Sequence, residues 1–495
     1  MILHIDGNIN RYYVQTLCMI FFPGSSFPVG EEPGPDVPEL SLKLSPDDCG
    51  YTAECSVSYR GRTAFCEKSR KREAEETDER TRKLAVGDAV LSALGDLLEY
   101  RPSWGVLTGV RPSKVATEML SKGVSRTRVK KILTADYGLF AKKAALAVEV
   151  ANNERKLTAD LSPLDCSLYV SIPFCPSRCS YCSFVSYTSK RFLTLIPDYV
   201  DRVIVDMKRV FALAREFGLN IRTVYFGGGT PTILEPELIR RLLSTVAEGL
   251  DGRVPEEYTY ESGRPDTITA EKLAVLREFG VDRISVNPQT LSDEVMAGIG
   301  RHHTVDDFYR AFSLAREAGF GTINTDPIAG LPGDDFRKFS ASVDGILALR
   351  PENVTVHTFC VKRSAELKAR DDIYSMRGGD AGKCVDYSQI KMRQAGYIPY
   401  YMYRQKNTVG NFENVGFSLP GHEGRYNIYM MEELHTILAV GAGAVSKFVR
   451  LPEKEGQTAV IRRIFNSKYP YEYLDRGNCD DMIEQMRGLY SDYQR

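Results

Sequence analysis

The chain has 495 residues, 43% hydrophobic and 26% charged, the balance of an ordinary soluble globular protein with room for two or three domains. Its 64 basic and 65 acidic residues leave a net charge of −1 at pH 7, so bulk charge points to neither a nucleic-acid nor a membrane partner. Eleven cysteines are too sparse for a disulfide scaffold in so long a chain, which reads as reduced and cytoplasmic.

The opening stretch has Asp6 and Arg11 ahead of the apolar run 17–22. That run is far shorter than the roughly 20 residues of a spanning helix, and it lacks the basic start and longer core of a signal peptide. Residues 1–160 read as an α+β domain. Residues 1–5 and 12–22 are expected as strands, followed by a Pro/Gly/Ser-rich loop over 23–38. Further strands are expected at 40–44, 52–59 and 63–66, then a mixed-charge helix over 67–83 running into an apolar helix at 84–100. Helical patterns over 104–139 carry Arg111, Lys114, Lys122, Arg126, Arg128, Lys130 and Lys131. A nucleic-acid stripe is one reading of these bases, but the balanced net charge favours a solvated helical face.

The most informative stretch begins with a short β-branched and aromatic run, 168–172, which Pro173 ends as a strand. Cys175, Cys179 and Cys182 follow in a Cys-x-x-x-Cys-x-x-Cys spacing. Iron–sulfur clusters are held by thiolates, usually four, so three thiolates around a cubane leave one iron open to a ligand. A structural zinc loop or buried thiols are the alternatives. Zinc sites want four ligands, commonly as two short-spaced pairs, and no second Cys-x-x-Cys occurs.

From Cys166 onward strand and helix patterns alternate, as in a parallel α/β sheet or barrel. Strands are expected at 223–226, 257–261, 283–286, 321–325 and 353–358, with helices near 236–250, 268–279, 305–318 and 336–349 between them. The second strand runs into Gly227-Gly228-Gly229-Thr230-Pro231-Thr232, where glycines allow a close ligand approach. Glu261, Gln289 and Asp326 follow the next strands at or just past their ends, with Arg301 further along. In parallel barrels that C-terminal face carries the site.

These motifs resemble the radical S-adenosylmethionine (SAM) superfamily and, within it, the oxygen-independent coproporphyrinogen III oxidase family. The matching pieces, spread over 169–333, are Tyr-x-x-Ile-Pro-Phe-Cys, Gly-Gly-Gly-Thr-Pro-Thr, the glutamate strand, Arg-Ile-Ser-x-x-x-Gln, Gly-Arg-x-His and Asp-x-Ile-x-Gly-Leu-Pro-Gly. The wording around the cysteines and the extra N-terminal domain look like the HemZ branch. The resemblance implies a partial (β/α)6 radical SAM barrel at 161–360, after the N-terminal domain. An α+β region, 361–495, would then close the barrel and shape the substrate pocket.

It further implies that Cys175, Cys179 and Cys182 bind a [4Fe-4S] cluster. Tyr169, Tyr181, Gly228, Gly229, Thr230, Glu261, Gln289, Arg301 and Asp326 would contact SAM, whose reductive cleavage yields a 5′-deoxyadenosyl radical. The implied reaction is oxidative decarboxylation of two propionates of coproporphyrinogen III, with a flavodoxin- or ferredoxin-type electron donor. The chain departs from the established oxidases at Phe184, where they have another cysteine, and at Ser171, where they have a histidine. Tyr426-Asn427 stands where the family's haem-chaperone branch has His-Asn. A haem chaperone, and a radical SAM enzyme acting on another tetrapyrrole or on RNA, are therefore the rival readings.

Overall fold

A computed structural model describes the chain except residues 31–33, 35, 74–75, 183, 361–378, 406–407, 451–458, 477–478 and 494–495. Parts of the expected 23–38 loop, of the 67–83 charge run and of the 361–495 region lie outside the described residues. Contacts divide the chain into two units, one built on residues 1–153 with 402–413 among its C-terminal additions, the other on 154–359, 383–401 and 414–495. Among the described residues no helix is long and apolar enough to cross a membrane.

The first unit holds a four-stranded sheet, β1 (Ile2–Asp6), β2 (Glu39–Pro46), β3 (Gly50–Tyr59) and β4 (Arg62–Lys71), in that order. β1 is parallel to β2, and the other pairs are antiparallel. Its helices are α1 (Arg11–Phe21), α2 (Asp78–Leu98), α3 (Ser113–Ser121), α4 (Arg126–Ala135) and α5 (Ala141–Leu157).

Two expectations fail here. Residues 12–22 form α1, not a strand: Asn10 caps Tyr13 N–H at 3.1 Å, and Tyr13, Val14, Leu17, Cys18, Ile20 and Phe21 are buried at helical spacing. A short apolar run does not by itself distinguish a buried helix from a strand. The charge run beginning at Glu67 opens as strand, because β4 continues through Lys71 opposite Gly50. β4 is an edge, where charged side chains protect an open ladder.

A buried ion pair fastens this unit. Lys143 and Glu413 meet at 2.5 Å with both side chains essentially buried, and the Trp104 indole donates to Glu413 at 2.7 Å. Burial alone would raise the Glu413 carboxyl, but Lys143 and Trp104 hold it below its usual range.

The second unit is organised by six parallel strands in sequence order. They are β5 (Asp165–Ile172), β6 (Asn220–Gly228), β7 (Glu257–Glu261), β8 (Arg283–Ser285), β9 (Thr322–Thr325) and, after the two-residue β10 (Ile328–Ala329), β11 (Asn353–Thr358). The intervening helices are α6 (Lys190–Leu193), α7 (Ile196–Glu216), α8 (Pro236–Leu250), α9 (Ala270–Glu278), α10 (Asp293–Gly298), α11 (Val305–Glu317) and α12 (Phe336–Ala348).

The C-terminal region supplies α13 (Ala381–Gln394), β12 (Ile398–Tyr403), β13 (Asn414–Ser418), α14 (Arg425–Glu432), β14 (Thr436–Val440), β15 (Val445–Arg450), β16 (Val460–Phe465), α15 (Pro470–Arg476) and α16 (Cys479–Tyr493). Its strands occupy both edges of the parallel sheet. β13 pairs antiparallel with β11, and β14 pairs parallel with β5. The stretch 410–424, which reads as a glycine-rich loop, contains the buried β13. Gly416 is required there because a Cβ would lie 2.0 Å from the Tyr401 ring.

One face of β5 to β9 builds the hydrophobic core. Leu168, Val170, Ile172, Val224, Phe226, Tyr258, Tyr260, Ile284, Val286 and Ile323 pack there with Val203, Met207, Val210, Leu242 and Leu243 from the helices. Successive strand residues point to opposite faces, so the residues between them line the other side.

Candidate active site

That other face is polar. The register places Tyr169, Tyr225, Thr259, Arg283 and Thr322 in one row, and Ser171, Gly227, Glu261, Ser285 and Asn324 in the row toward the C-terminal strand ends. Contacts run across the rows. Tyr169 stacks on Tyr225 at 6.1 Å, the Tyr225 hydroxyl donates to Glu261 at 2.5 Å, and Thr355 donates to Asn324 at 3.4 Å. A core-facing row would not carry this chemistry.

One end of the polar face is covered by the chain's own C-terminal segment. The His422 carbonyl accepts from Arg283 Nη2 at 2.7 Å and from Asn353 at 3.1 Å, and its Nδ1 meets the Thr322 hydroxyl at 2.8 Å. Arg425 N–H donates to Glu257 at 2.6 Å. Glu257, Arg283, Thr322 and Asn353 each begin their strands, so this segment crosses the N-terminal end. Tyr426, the second residue of α14, lies on Tyr225 at 4.3 Å and on Tyr169 at 6.1 Å. The three rings form a floor, leaving the C-terminal ends of the strands for a ligand.

The cysteine loop leaves β5 at that end. Gly229 N–H donates to Ile172 O and Thr230 N–H to Phe174 O, both at 2.8 Å, so the glycine loop is zipped to the entry of the cysteine loop. Gly228 has φ +106°, and a Cβ on Gly229 would stand 2.5 Å from Phe174 O, so neither position admits a side chain without strain. Cys175 Sγ lies 3.3 Å from the Thr230 hydroxyl. Arg264 reaches back to Cys179 Sγ at 3.6 Å and Ser177 Oγ at 3.0 Å while pairing with Asp266 at 3.1 Å. Burial pushes the Cys175 thiol up to about 11, with the other two thiols adding to the rise against the Thr230 hydroxyl.

A ring of polar groups faces the loop. Arg301 is 6% exposed and donates to the Tyr181 hydroxyl at 3.1 Å and to Asn287 O at 2.5 Å. Burial opposes its charge, but Tyr181 and Cys179 more than offset that cost. Asp326 accepts from Asn287 and Asn324, each at 2.8 Å, and lies 3.6 Å from His357 Nε2. Gln289 holds φ +69°, locked by Gln289 N–H to Asp326 O at 3.1 Å and Ile328 N–H to Gln289 O at 2.9 Å. Such a conformation in a non-glycine residue persists where its surroundings impose it, often at functional sites. Glu261, half-buried, is pushed up to about 7 by burial and by Asp326, against the Tyr225 hydroxyl and the Gly228 N–H.

Eleven of the twelve sequence-derived site residues thus belong to this one end of the second unit, and Tyr169 lies one row below, in the tyrosine floor. Gln289 is tied in through its backbone, and Cys182 through its N–H to Cys179 O at 3.2 Å. Sequence reading gives no role to Arg264, Asn287, Tyr225 or His357. Asn287 lies within the Arg-Ile-Ser-x-x-x-Gln motif, which was the one signal for it. The bases on α4 are exposed, as a solvated helical face requires.

The donor set suits a cubane better than a single ion. A cubane takes each thiolate on a separate iron, and Cys175, Cys179 and Cys182 offer three thiolates from one short loop after β5. Among the described residues Asn287 Oδ1 and Ser285 Oγ are buried with no protein partner, which leaves hydrogen-bonding capacity for a polar ligand such as SAM.

The signature of the Radical SAM superfamily matches residues 169–344. The chain is 36% identical over 471 residues to the oxygen-independent coproporphyrinogen-III oxidase-like protein HemZ of Bacillus subtilis (strain 168), covering 93% of this chain and 92% of that one. It is 34% identical over 326 residues to the heme chaperone HemW of the same organism, covering 64% of this chain and 81% of that one. Among solved structures, coproporphyrinogen III oxidase HemN from Escherichia coli has 20% sequence identity and a TM-score of 0.46, covering 68% of this chain and 82% of that one.

Proposed function

Because the chain belongs to the radical SAM family of oxygen-independent coproporphyrinogen-III oxidase-like proteins, we propose that it is an oxygen-independent coproporphyrinogen III oxidase. Membership brings a [4Fe-4S] cluster and SAM as cofactors. The observation that carries the oxidase reading is the likeness to HemZ along 93% of the chain, N-terminal unit included, where the likeness to HemW covers 64%.

In this reading Cys175, Cys179 and Cys182 hold the cluster. When bound, the cluster and SAM supply one-electron chemistry that ends in abstraction of a hydrogen atom from the substrate. The Gly227–Gly229 backbone, with Tyr169, Tyr181 and Thr230, lines the methionyl side of SAM. Glu261, Gln289 and Asp326 accept from or donate to its polar groups, and Arg301, whose Nε and Nη1 are held by Tyr181, Gly263 and Asn287, offers its charge and Nη2 to a carboxylate. The tyrosine floor excludes water from beneath the reacting centre. Each of the two reacting propionate side chains would give up one hydrogen atom, one electron to a separate one-electron acceptor, and carbon dioxide, and would remain on the ring as a vinyl group. A flavodoxin- or ferredoxin-type protein is the proposed electron donor.

Tyr426 bears on the rival chaperone reading. It stands where the chaperone branch has a histidine, and it is 6% exposed and committed to the ring stack, so position 426 offers haem no imidazole. The test is an anaerobic incubation of cluster-reconstituted protein with reductant, SAM and coproporphyrinogen III. Protoporphyrinogen IX and 5′-deoxyadenosine are expected together by mass spectrometry. Stoichiometric haem binding without decarboxylation would overturn the oxidase reading in favour of the chaperone.

A further inference from the structure

Resting on the assignment of Glu261 to SAM, we propose that Tyr225 is a positioning residue. Its phenol, clamped in a stack of three tyrosine rings, donates to Glu261 and fixes that carboxylate as an acceptor for SAM.

The clamp comes from three separate parts of the second unit. Tyr225 lies in β6, Tyr169 beside it in β5, and Tyr426 in α14 from the C-terminal segment. The ring planes of Tyr225 and Tyr426 are 22° apart with centroids at 4.3 Å, and those of Tyr169 and Tyr426 are 10° apart at 6.1 Å. Tyr225 lies face to face on Tyr426 with Tyr169 beside the pair, and a phenol stacked in this way has its hydroxyl direction set by packing. The hydroxyl of Tyr225 meets Glu261 Oε1 at 2.5 Å, a short charge-assisted bond. Glu261 is also approached by the Gly228 N–H and by the charge of Asp326. Tyr169 and Tyr426 also face it. Of these groups only the Tyr225 hydroxyl and the Gly228 N–H stabilise the ionised carboxylate against burial and Asp326.

The proposal makes the C-terminal segment part of the cofactor site, since Tyr426 closes the stack that aims Tyr225. It also predicts a pH signature. Glu261 accepts best when ionised, so SAM affinity should fall as pH drops through the carboxyl's elevated range. Removing the phenol hydroxyl moves that fall to higher pH. Tyr225 itself titrates well above its usual range because it is buried, so it remains a donor throughout.

The test is SAM binding by anaerobic calorimetry on the cluster-reconstituted protein between pH 6 and 9, comparing wild type, Tyr225→Phe and Glu261→Gln. Iron content and melting temperature serve as controls. Tyr225→Phe keeps the ring and the stack. Its Kd for SAM is expected to rise roughly tenfold near neutral pH, as for one lost hydrogen bond to a charged group, and to approach wild type at pH 9. A Tyr225→Phe profile superimposed on wild type, with Glu261→Gln impaired, would overturn the role of Tyr225 alone. An equal loss at every pH would contradict the pH signature and overturn the claim that the hydroxyl acts by keeping Glu261 ionised. Wild-type binding by Glu261→Gln would remove the Glu261 assignment and this inference with it.

Discussion

Along β6, Val224 and Phe226 are fully buried against the helices, whereas Tyr225 between them stacks on other tyrosines and donates to Glu261. β5 repeats the division, with Leu168, Val170 and Ile172 on the packed side and Tyr169 and Ser171 on the other. A parallel sheet covered on both faces reads as a continuous apolar run; this one alternates because only one face is filled by apolar core. The difference between the two faces separates what makes the sheet fold from what makes it a site. A substitution on the packed face should cost stability. One on the polar face should cost ligand binding, and can even leave the empty protein more stable.

The widest separation is expected from the cysteines. Changing Cys175, Cys179 or Cys182 to alanine should abolish bound iron and all SAM cleavage while leaving the fold intact, since none of the three fills the helix-packed core. Iron analysis, 5′-deoxyadenosine release and circular dichroism check it. Retained SAM cleavage would sink the cluster assignment. On the packed face, Phe226→Ala should destabilise by about 3–5 kcal/mol, the usual cost of emptying a buried phenyl site. Denaturant unfolding of the apoprotein measures it, and a loss below about 1 kcal/mol would mean that the core is not where the packing puts it.

Glu261→Gln sharpens the contrast because its two effects have opposite signs. The native carboxyl titrates near 7, above the unfolded value of about 4.3. The folded state therefore binds more protons between those limits, and stability falls as pH rises through that window. Glutamine carries no such charge, so the variant's melting temperature should exceed wild type at pH 8 and the gain should vanish near pH 4. SAM affinity should meanwhile drop at pH 8. A lower melting temperature at pH 8 would contradict the burial argument. At the small end, serine at Lys130 and Lys131 on α4 should shift stability by no more than about 0.5 kcal/mol and leave SAM cleavage unchanged; RNA binding lost on that change would revive the nucleic-acid reading.

How far the sequence could be read follows the same division. The six strands were legible because each apolar row ends in a polar or glycine-rich punctuation, and the cysteine spacing needed no tertiary information. Glu261 and Asp326 were legible as strand-end carboxylates. Tyr225 was not, because tyrosine inside 223–226 reads as an ordinary strand former; its role exists only once Glu261 and Tyr426 arrive from 36 and 201 positions downstream. Arg264 was hidden for the same reason, reaching Cys179 across a turn that spacing does not reveal. The failures at α1, β4 and β13 have local causes: an apolar run without a distinguishing period, a charged edge strand, and a glycine that serves ring packing rather than a loop.

The central claim is that the polar end of the parallel strands is a single site for cluster and SAM. An anaerobic crystal structure of the reconstituted protein with SAM tests it most directly. The account predicts a cluster bound by Cys175, Cys179 and Cys182 with no fourth protein ligand, and SAM lying against Glu261, Gln289, Arg301 and Asp326 above the tyrosine floor. A fourth protein ligand on the cluster, or SAM bound away from Glu261 and Asp326, would contradict it.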